Sequence, residues 1–218
     1  MCFSATASFV TAGLTGAIGV VSINRSTERR ELPLAATPLL FAAQQCVEGL
    51  LWLYLPVAPN EAGAPGLTLL FSVFAQVFWP IWTPLAVLLI EPDRRRRRIM
   101  EICFAAGIGV GGWCLWSLLS YPHIAVILND HVVYETGPRH SIVLAVAYLA
   151  ATCLPAVLST SRTVAVLGAI VLVGCVVAYV VYWEAFSSVW CFFAAAASVV
   201  ILGHFEHTRR TVPRMIGA

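Results

Sequence analysis

The sequence contains no lysine, so all thirteen of its Lys/Arg positions are arginine. A retinal protein of the rhodopsin type forms a Schiff base with a lysine, and we therefore expect no retinal here. Charged residues are also scarce, at 11% of 218 residues, whereas soluble domains carry about 25%. Apolar residues make up 60% of the chain. The composition predicts a membrane protein rather than a soluble domain.

Two further patterns are missing from the sequence. Its seven cysteines show neither zinc-finger nor CxxC spacing, and most of them lie within apolar runs. In such runs, buried thiols usually behave as small hydrophobic side chains. No repeat relates the two halves of the chain, so the sequence gives no support to the inverted-repeat plan of many transporters.

Seven apolar runs are separated by short polar or Pro/Gly-rich segments. A helix needs about 20 mainly apolar residues to span a bilayer. We therefore predict an all-α membrane protein, a seven-transmembrane-helix bundle that forms one domain over 1–205, with a polar cytoplasmic tail at 206–218. The predicted helices cover 4–23, 32–55, 67–90, 99–121, 141–158, 164–183 and 189–205.

The arginines indicate the orientation of this bundle. Twelve of the thirteen lie in segments that seven helices would place on one side, namely 24–31, 91–98, 159–163 and 206–218. Because positive residues concentrate on the cytoplasmic side, we expect the N-terminus outside and the C-terminus in the cytoplasm. The run Arg94, Arg95, Arg96, Arg97 and Arg98 should anchor this topology and contact anionic lipid headgroups. We expect no nucleic-acid binding from a run held between two spanning helices.

Three local patterns predict finer structure. In the outer loop 122–140, β-branched residues on both sides of Asn129-Asp130 predict a short β-hairpin. In the third helix, Pro80 and Pro84 should cause a kink and free backbone carbonyls, which need partners inside a membrane. In the fourth helix, close contact with a neighbour is predicted at Gly107, Gly109, Gly111 and Gly112.

Glu48 is an acidic residue inside a predicted span. A carboxyl group within a membrane costs at least ~2.5 kcal/mol even on the most lenient scale. Gln44, Glu48 and Trp52 are spaced by four residues and share one helix face, which should point into the outer half of the bundle. The candidate ligand-binding residues are Glu48, Gln44, Gln45, Trp52, Gln76, Trp79, His140 and Trp190.

Three functional hypotheses follow. The first is binding or transport of a small polar solute or cation through an outer-half cavity centred on Glu48. The second is a metal-dependent membrane enzyme or a metal-handling protein, with zinc or copper held by Cys2, Glu48, His140 and Cys191. The third is an accessory or assembly subunit, in which Cys2 and Cys191 form a disulfide and Glu48 pairs with Arg139.

Several segments of the chain resemble an uncharacterised family of bacterial multi-pass membrane proteins. They are Met1-Cys-Phe-Ser-Ala-Thr-Ala-Ser-Phe9, Gln45-Cys-Val-Glu-Gly49 with Trp52, Phe78-Trp-Pro-Ile-Trp82, His140-Ser141 and Ser188-Val-Trp-Cys-Phe-Phe-Ala-Ala195. The resemblance implies a location in the bacterial inner membrane and carries no activity across. The matching segments include Cys2, Glu48, His140 and Cys191.

Overall fold

The computed structural model describes residues 4–57, 63–128, 131–136, 142–181, 189–190, 193, 195 and 197–211. Over these ranges the chain forms α-helices and one β-hairpin. The helices are α1 Ala5–Arg25, α2 Leu32–Tyr54, α3 Gly63–Ser72, α4 Trp79–Ile90, α5 Arg94–Ser120, α6 Ile142–Val157, α7 Arg162–Val181 and α8 Ser198–Thr211. A π-helical segment, Val73–Phe78, joins α3 to α4, and a 3-10 turn, Arg29–Glu31, precedes α2.

Four helical stretches are long and apolar enough to cross a membrane, namely Ala5–Arg25, Arg29–Tyr54, Ala64–Ile90 and Arg94–Ser120. Two further apolar helices, α6 and α7, are shorter over the described residues. Large apolar side chains on these helices face outward, and Leu14, Ile102 and Val143 are 63%, 70% and 78% exposed. Such extensive apolar surface is typical of contact with lipid or protein partners. The chain is helical, as its sequence predicts.

The helix boundaries differ from the predicted ones where capping or a tertiary contact intervenes. α5 begins at Arg94 rather than 99, because Asp93 caps it by accepting bonds from the N–H groups of Arg95 and Arg96 at 3.0 and 2.8 Å. α3 begins at Gly63 rather than 67, since a proline is tolerated in the first turn of a helix. α8 continues to Thr211, beyond the predicted start of the tail at 206. Of the predicted helix 189–205, the structure describes only part.

The predicted hairpin is confirmed. Strand β1, His123–Leu128, pairs antiparallel with β2, His131–Thr136, while Asn129 and Asp130 lie outside the described residues. One face of the hairpin packs on the ends of α2 and α3, where the ring of Tyr134 stacks on Phe71 with centroids 4.3 Å apart. This apolar cluster contains Leu51, Leu55, Phe71, Ala125, Ile127, Val132 and Tyr134. We call this end of the bundle the hairpin end.

Segments that carry arginines meet at the opposite end, which we call the arginine end. Arg25 at the end of α1 forms an ion pair with Glu206 of α8. Arg96 Nη1 donates to the carbonyl of Leu158 at 2.7 Å, which ties the start of α5 to the α6–α7 loop. Parts of all four arginine-bearing segments, 24–31, 91–98, 159–163 and 206–211, lie at this end.

Two glycines of α5 allow close contact with the chain of the preceding helical stretch. A Cβ atom on Gly107 would overlap the carbonyl oxygen of Pro80, and one on Gly111 would lie 2.9 Å from that of Val77. Gly109 and Gly112 have nothing within 4 Å of the same position. The predicted close-packing face of four glycines therefore contains only Gly107 and Gly111, because residues four apart lie on the same side of a helix.

Candidate functional site

Three polar side chains of α2 are fully buried. Gln44, Gln45 and Glu48 are 0%, 1% and 0% exposed, although their helix lies among apolar residues. Gln45 Nε2 donates a hydrogen bond to Glu48 Oε2 at 3.2 Å. The face predicted from the spacing of Gln44 and Glu48 does point into the bundle, and Gln45 joins it.

Tryptophans from α4 bond to this face of α2. Trp79 Nε1 donates to Gln44 Oε1 at 2.6 Å, and Trp82 Nε1 donates to Thr37 Oγ1 at 3.1 Å. The Trp79 ring also stacks on Phe41, with centroids 4.0 Å apart. These bonds hold α2 and α4 side by side and antiparallel, because the later residue of α2 bonds to the earlier residue of α4.

The same antiparallel register sets the levels of the remaining polar residues. In the apolar cluster at the hairpin end, Leu51 packs with Phe71, continuing the alignment that Gln44 and Trp79 begin. One turn beyond the Gln44–Trp79 bond, Glu48 is therefore level with Gln76. A further turn on, Trp52 is level with Ser72. The facing sides of α2 and the α3–α4 stretch therefore carry a row of polar residues, which runs from Gln44 to Trp52 on α2 and which we call the polar row.

Several buried polar atoms in this row have no hydrogen-bond partner among the described residues. They are Gln45 Oε1, Trp52 Nε1 and Ser72 Oγ. Leaving a buried polar group without a partner costs about 1–3 kcal/mol, and such groups are rare in native proteins. These atoms make the facing sides of α2 and the α3–α4 stretch the candidate binding site.

The π-helical segment lies beside this row. Pro80 follows the segment, and a proline ring cannot accommodate the carbonyl of residue i−4, which here belongs to Gln76. The helix therefore widens at Val73–Phe78, where the sequence predicts a simple kink. The carbonyl of Ala75 receives a hydrogen bond from the hydroxyl of Tyr148 on α6, so a freed carbonyl finds a partner. π-Helical turns frequently occur at functional sites.

The polar row is closed at the hairpin end. Leu51 and Leu55, one and two turns beyond Glu48, are buried under the hairpin, and Trp52 packs against the same cluster. The structure thus encloses Glu48 completely.

A cavity of about 70 Å³ lies on the arginine side of Trp79. Its volume is enough for a few water molecules. Of the predicted ligand-binding residues, Trp79 and Trp190 line it, while Glu48, Gln44, Gln45, Trp52 and Gln76 do not. The lining is mainly apolar, with hydroxyl groups from three threonines. It comprises Leu34, Thr37, Phe41, Trp79, Thr83, Ala86, Val87, Thr152, Ala156, Leu167, Gly168, Val171, Trp190 and Ile201.

Of the four predicted metal ligands, the structure describes Glu48. Cys2, Arg139, His140 and Cys191 lie outside the described residues, and so do the predicted disulfide and the Glu48–Arg139 pair. Among the residues that the structure does describe, no three His, Cys, Asp or Glu side chains gather closely enough to hold a metal ion. The described cysteines, Cys46, Cys103, Cys114, Cys153 and Cys175, are free thiols. The zinc or copper site stays a prediction.

One buried carboxylate was missed by sequence reasoning. Glu91 is 3% exposed and accepts bonds from Ser159 Oγ at 3.1 Å, from the Thr160 N–H at 2.9 Å and from the Thr160 hydroxyl. Burial acts to raise the pKa of Glu91, but the bonds from Thr160, Asp93 and Ser159 outweigh it and hold the pKa below its ordinary value. The sequence places Glu91 in a polar loop, where nothing signals a partner nearly seventy residues away.

The Arg94–Arg98 run occupies the exposed start of α5. Arg97 lies 3.7 Å from Glu101, one turn along the helix, and Arg96 is held by the Leu158 carbonyl. Contact between this run and anionic lipid stays a prediction.

Comparisons with known proteins agree with the resemblance read from the motifs. A model of a family of unknown function (DUF6629) matches residues 1–216. No curated protein and no solved structure matches the chain. Because the match covers nearly the whole sequence, the chain belongs to DUF6629, a family of unknown function.

Proposed function

We propose that this protein is a seven-span protein of the bacterial inner membrane, with its N-terminus outside and its C-terminus in the cytoplasm. Four helices long enough to span support the membrane placement. The meeting of arginine-bearing segments at one end supports the orientation, because arginines stay on the cytoplasmic side. The arginine end would then contact anionic lipid headgroups, and the hairpin end would face outward.

Within this bundle, the protein binds or transports a small cation or a small polar solute at Glu48. One observation carries this proposal: Glu48 is completely buried and bonded to Gln45, whose Oε1 atom is buried with no hydrogen-bond partner among the described residues. An enclosed carboxylate is stabilised when a cation or a proton neutralises it. An acidic side chain inside a membrane raises the free energy of the folded protein, so a role limited to joining two spanning helices is disfavoured.

The oxygen atoms of this candidate site suit a small cation. The Glu48 carboxylate, Gln45 Oε1 and Ser72 Oγ are oxygens, the donor type that hard cations prefer. Trp52 Nε1 could instead donate to an acceptor on a polar solute. For transport, the stacked Phe41–Trp79 pair stands between this site and the cavity on the arginine side, so these rings would have to move.

Binding can be tested with the purified protein in detergent micelles. Its thermal unfolding is followed in sodium, potassium and lithium chloride, with choline chloride as the control for ionic strength. A ligand at about a hundred times its Kd stabilises the folded state by about 2.7 kcal/mol. We expect one of the three cations to raise the midpoint in a saturable way in the wild-type protein, and not in Glu48→Gln.

Glu101→Gln is the matched control, since Glu101 is an exposed carboxylate on α5, and it should keep the wild-type response. If all three cations fail and a panel of small polar solutes also leaves the midpoint unchanged, the binding proposal is wrong. If Glu48→Gln does not accumulate in the membrane, Glu48 has a structural role. Elemental analysis of the same preparation detects zinc or copper, and a stoichiometric amount would favour the metal-site hypothesis instead.

A further inference from the structure

The outward face of the hairpin is largely apolar, with Glu135 and His131 only at its two ends, although no described element covers it. In the observed register, Ile124 pairs with Glu135, Val126 with Val133 and Leu128 with His131, and cross-strand partners share a face. On this face Ile124, Val126 and Leu128 are 53%, 37% and 47% exposed. A hairpin with one face in water should carry polar residues there. Its central row, Val126 and Val133, is instead entirely apolar.

The length of α5 indicates the depth at which the hairpin lies in the membrane, and therefore what its outward face contacts. From Ile99, which follows the last arginine of the run, to Ser120 the helix is about 33 Å long at ~1.5 Å per residue. This length is close to the ~30 Å hydrocarbon thickness of a bilayer. With the arginines at one membrane boundary, Tyr121 reaches the other, and β1 starts two residues later at His123.

Exposed aromatic residues occupy the last turns of α5 before this boundary. Trp113, Trp116 and Tyr121 are 54%, 52% and 41% exposed, and their rings form one group, with centroids 5.1 Å apart between the tryptophans and 6.1 Å apart between Trp116 and Tyr121. Tryptophan and tyrosine concentrate where the hydrocarbon meets the headgroups. This aromatic group leads directly into the hairpin.

Backbone chemistry limits how deep the hairpin can lie. The sheet has two strands, and no third strand joins it within the described residues, so both of its edges carry unpaired N–H and C=O groups. Open sheet edges are not tolerated in the hydrocarbon region, where no water can satisfy them. The headgroup region offers hydrogen bonds to these edges and apolar contact to the exposed face.

We propose that the hairpin lies flat in the membrane interface, with the face of Ile124, Val126, Leu128 and Val133 on lipid and the opposite face on α2 and α3. This proposal rests on the membrane placement proposed above and not on the Glu48 site. The hairpin is then a monotopic lipid-binding element attached to a spanning bundle. A second copy of the chain on the same face is the competing occupant.

A spin label distinguishes these cases. In a variant with the seven native cysteines replaced by serine, the label is placed at Val126→Cys in nanodiscs of phosphatidylethanolamine and phosphatidylglycerol. Leu128→Cys on the same face serves as a second site. Ile108→Cys, on the exposed side of α5, is the lipid reference, and Arg29→Cys at the arginine end is the water reference.

We expect both hairpin labels to collide with oxygen several-fold more often than with a water-soluble nickel chelate, as at Ile108. Their depth should fall near the phosphate level, shallower than Ile108. Collision mainly with the nickel chelate would place the face in water and overturn the proposal. Low collision with both reagents would mean that protein covers the face, which also overturns it. The collision rates of the hairpin labels do not depend on cation binding at Glu48, so failure of the Glu48 proposal would not change them.

Discussion

The indole N–H of Trp79 donates a hydrogen bond to Gln44 Oε1 at 2.6 Å, and both side chains are buried, at 4% and 0% exposure. This bond joins α2 to α4 at the boundary between the polar row and the cavity. Because the atoms are shielded from water, a water molecule cannot replace the donor when Trp79 is lost.

Trp79→Phe should therefore lower the free energy of unfolding by about 1–3 kcal/mol. Trp82→Phe is the control, because Trp82 is half-buried and its bond to Thr37 is longer, at 3.1 Å. Thermal unfolding in micelles measures both. A Trp79→Phe/Gln44→Leu double variant should show a coupling of about 1 kcal/mol relative to the single variants. Equal losses at Trp79 and Trp82, with no coupling, would contradict the bond's importance.

Gly107→Ala should destabilise the α4–α5 contact by about 1–3 kcal/mol, the usual cost of overpacking. The added methyl group would overlap the backbone carbonyl of Pro80, and a backbone atom cannot turn aside as a flexible side chain can. Gly109→Ala on the same helix meets nothing within 4 Å and should change stability by less than about 0.5 kcal/mol. Chemical unfolding of the two variants measures both changes in stability. An equal loss in the two variants would contradict the close contact at Gly107.

Glu91→Gln should destabilise the arginine end by about 1–3 kcal/mol at pH 7, since charge-assisted bonds from Ser159 and Thr160 weaken. The pKa of Glu91 lies below its ordinary value in the folded protein. Its contribution to stability is therefore present above the ordinary glutamate pKa and disappears as the pH falls through the lowered folded-state pKa.

The stability difference between wild type and Glu91→Gln should accordingly shrink on acidification below the ordinary glutamate pKa. Unfolding midpoints measured from neutral to acidic pH test this, with Glu101→Gln as the exposed control. A difference that stays constant over the whole series would mean that the Glu91 carboxylate is not what these bonds depend on.

Reporter fusions at Asn60, Arg96, Asn129 and Arg210 test the proposed orientation. The sites at 60 and 129 should report an external location, and those at 96 and 210 a cytoplasmic one, because the arginines hold their segments inside. Alkaline phosphatase and green fluorescent protein fusions give opposite signals at each site. An external signal at Arg96 or Arg210 would overturn the orientation and the assignment of Glu48 to the outer half.

The helices and the buried face of α2 could be predicted because both follow from local patterns. Long apolar runs satisfy their backbone bonds as helices, and the four-residue spacing of Gln44 and Glu48 places them on one side of a helix. The hairpin was likewise predictable from the β-branched residues that flank Asn129-Asp130. The membrane class follows from composition alone.

The contacts that connect these elements could not be predicted, since they join residues far apart in sequence. Only packing decides that Gly107 meets Pro80 while Gly109 meets nothing, and that Glu91 reaches Thr160. Packing likewise decides that the partner of the Ala75 carbonyl in the π-helical segment is the hydroxyl of Tyr148 on another helix. The sequence by itself therefore determined the helical membrane class and the polar face of α2, because periodicity and hydropathy act along the chain. The tertiary structure decided which polar atoms found partners, because hydrogen bonds and close packing depend on distances that no local pattern contains.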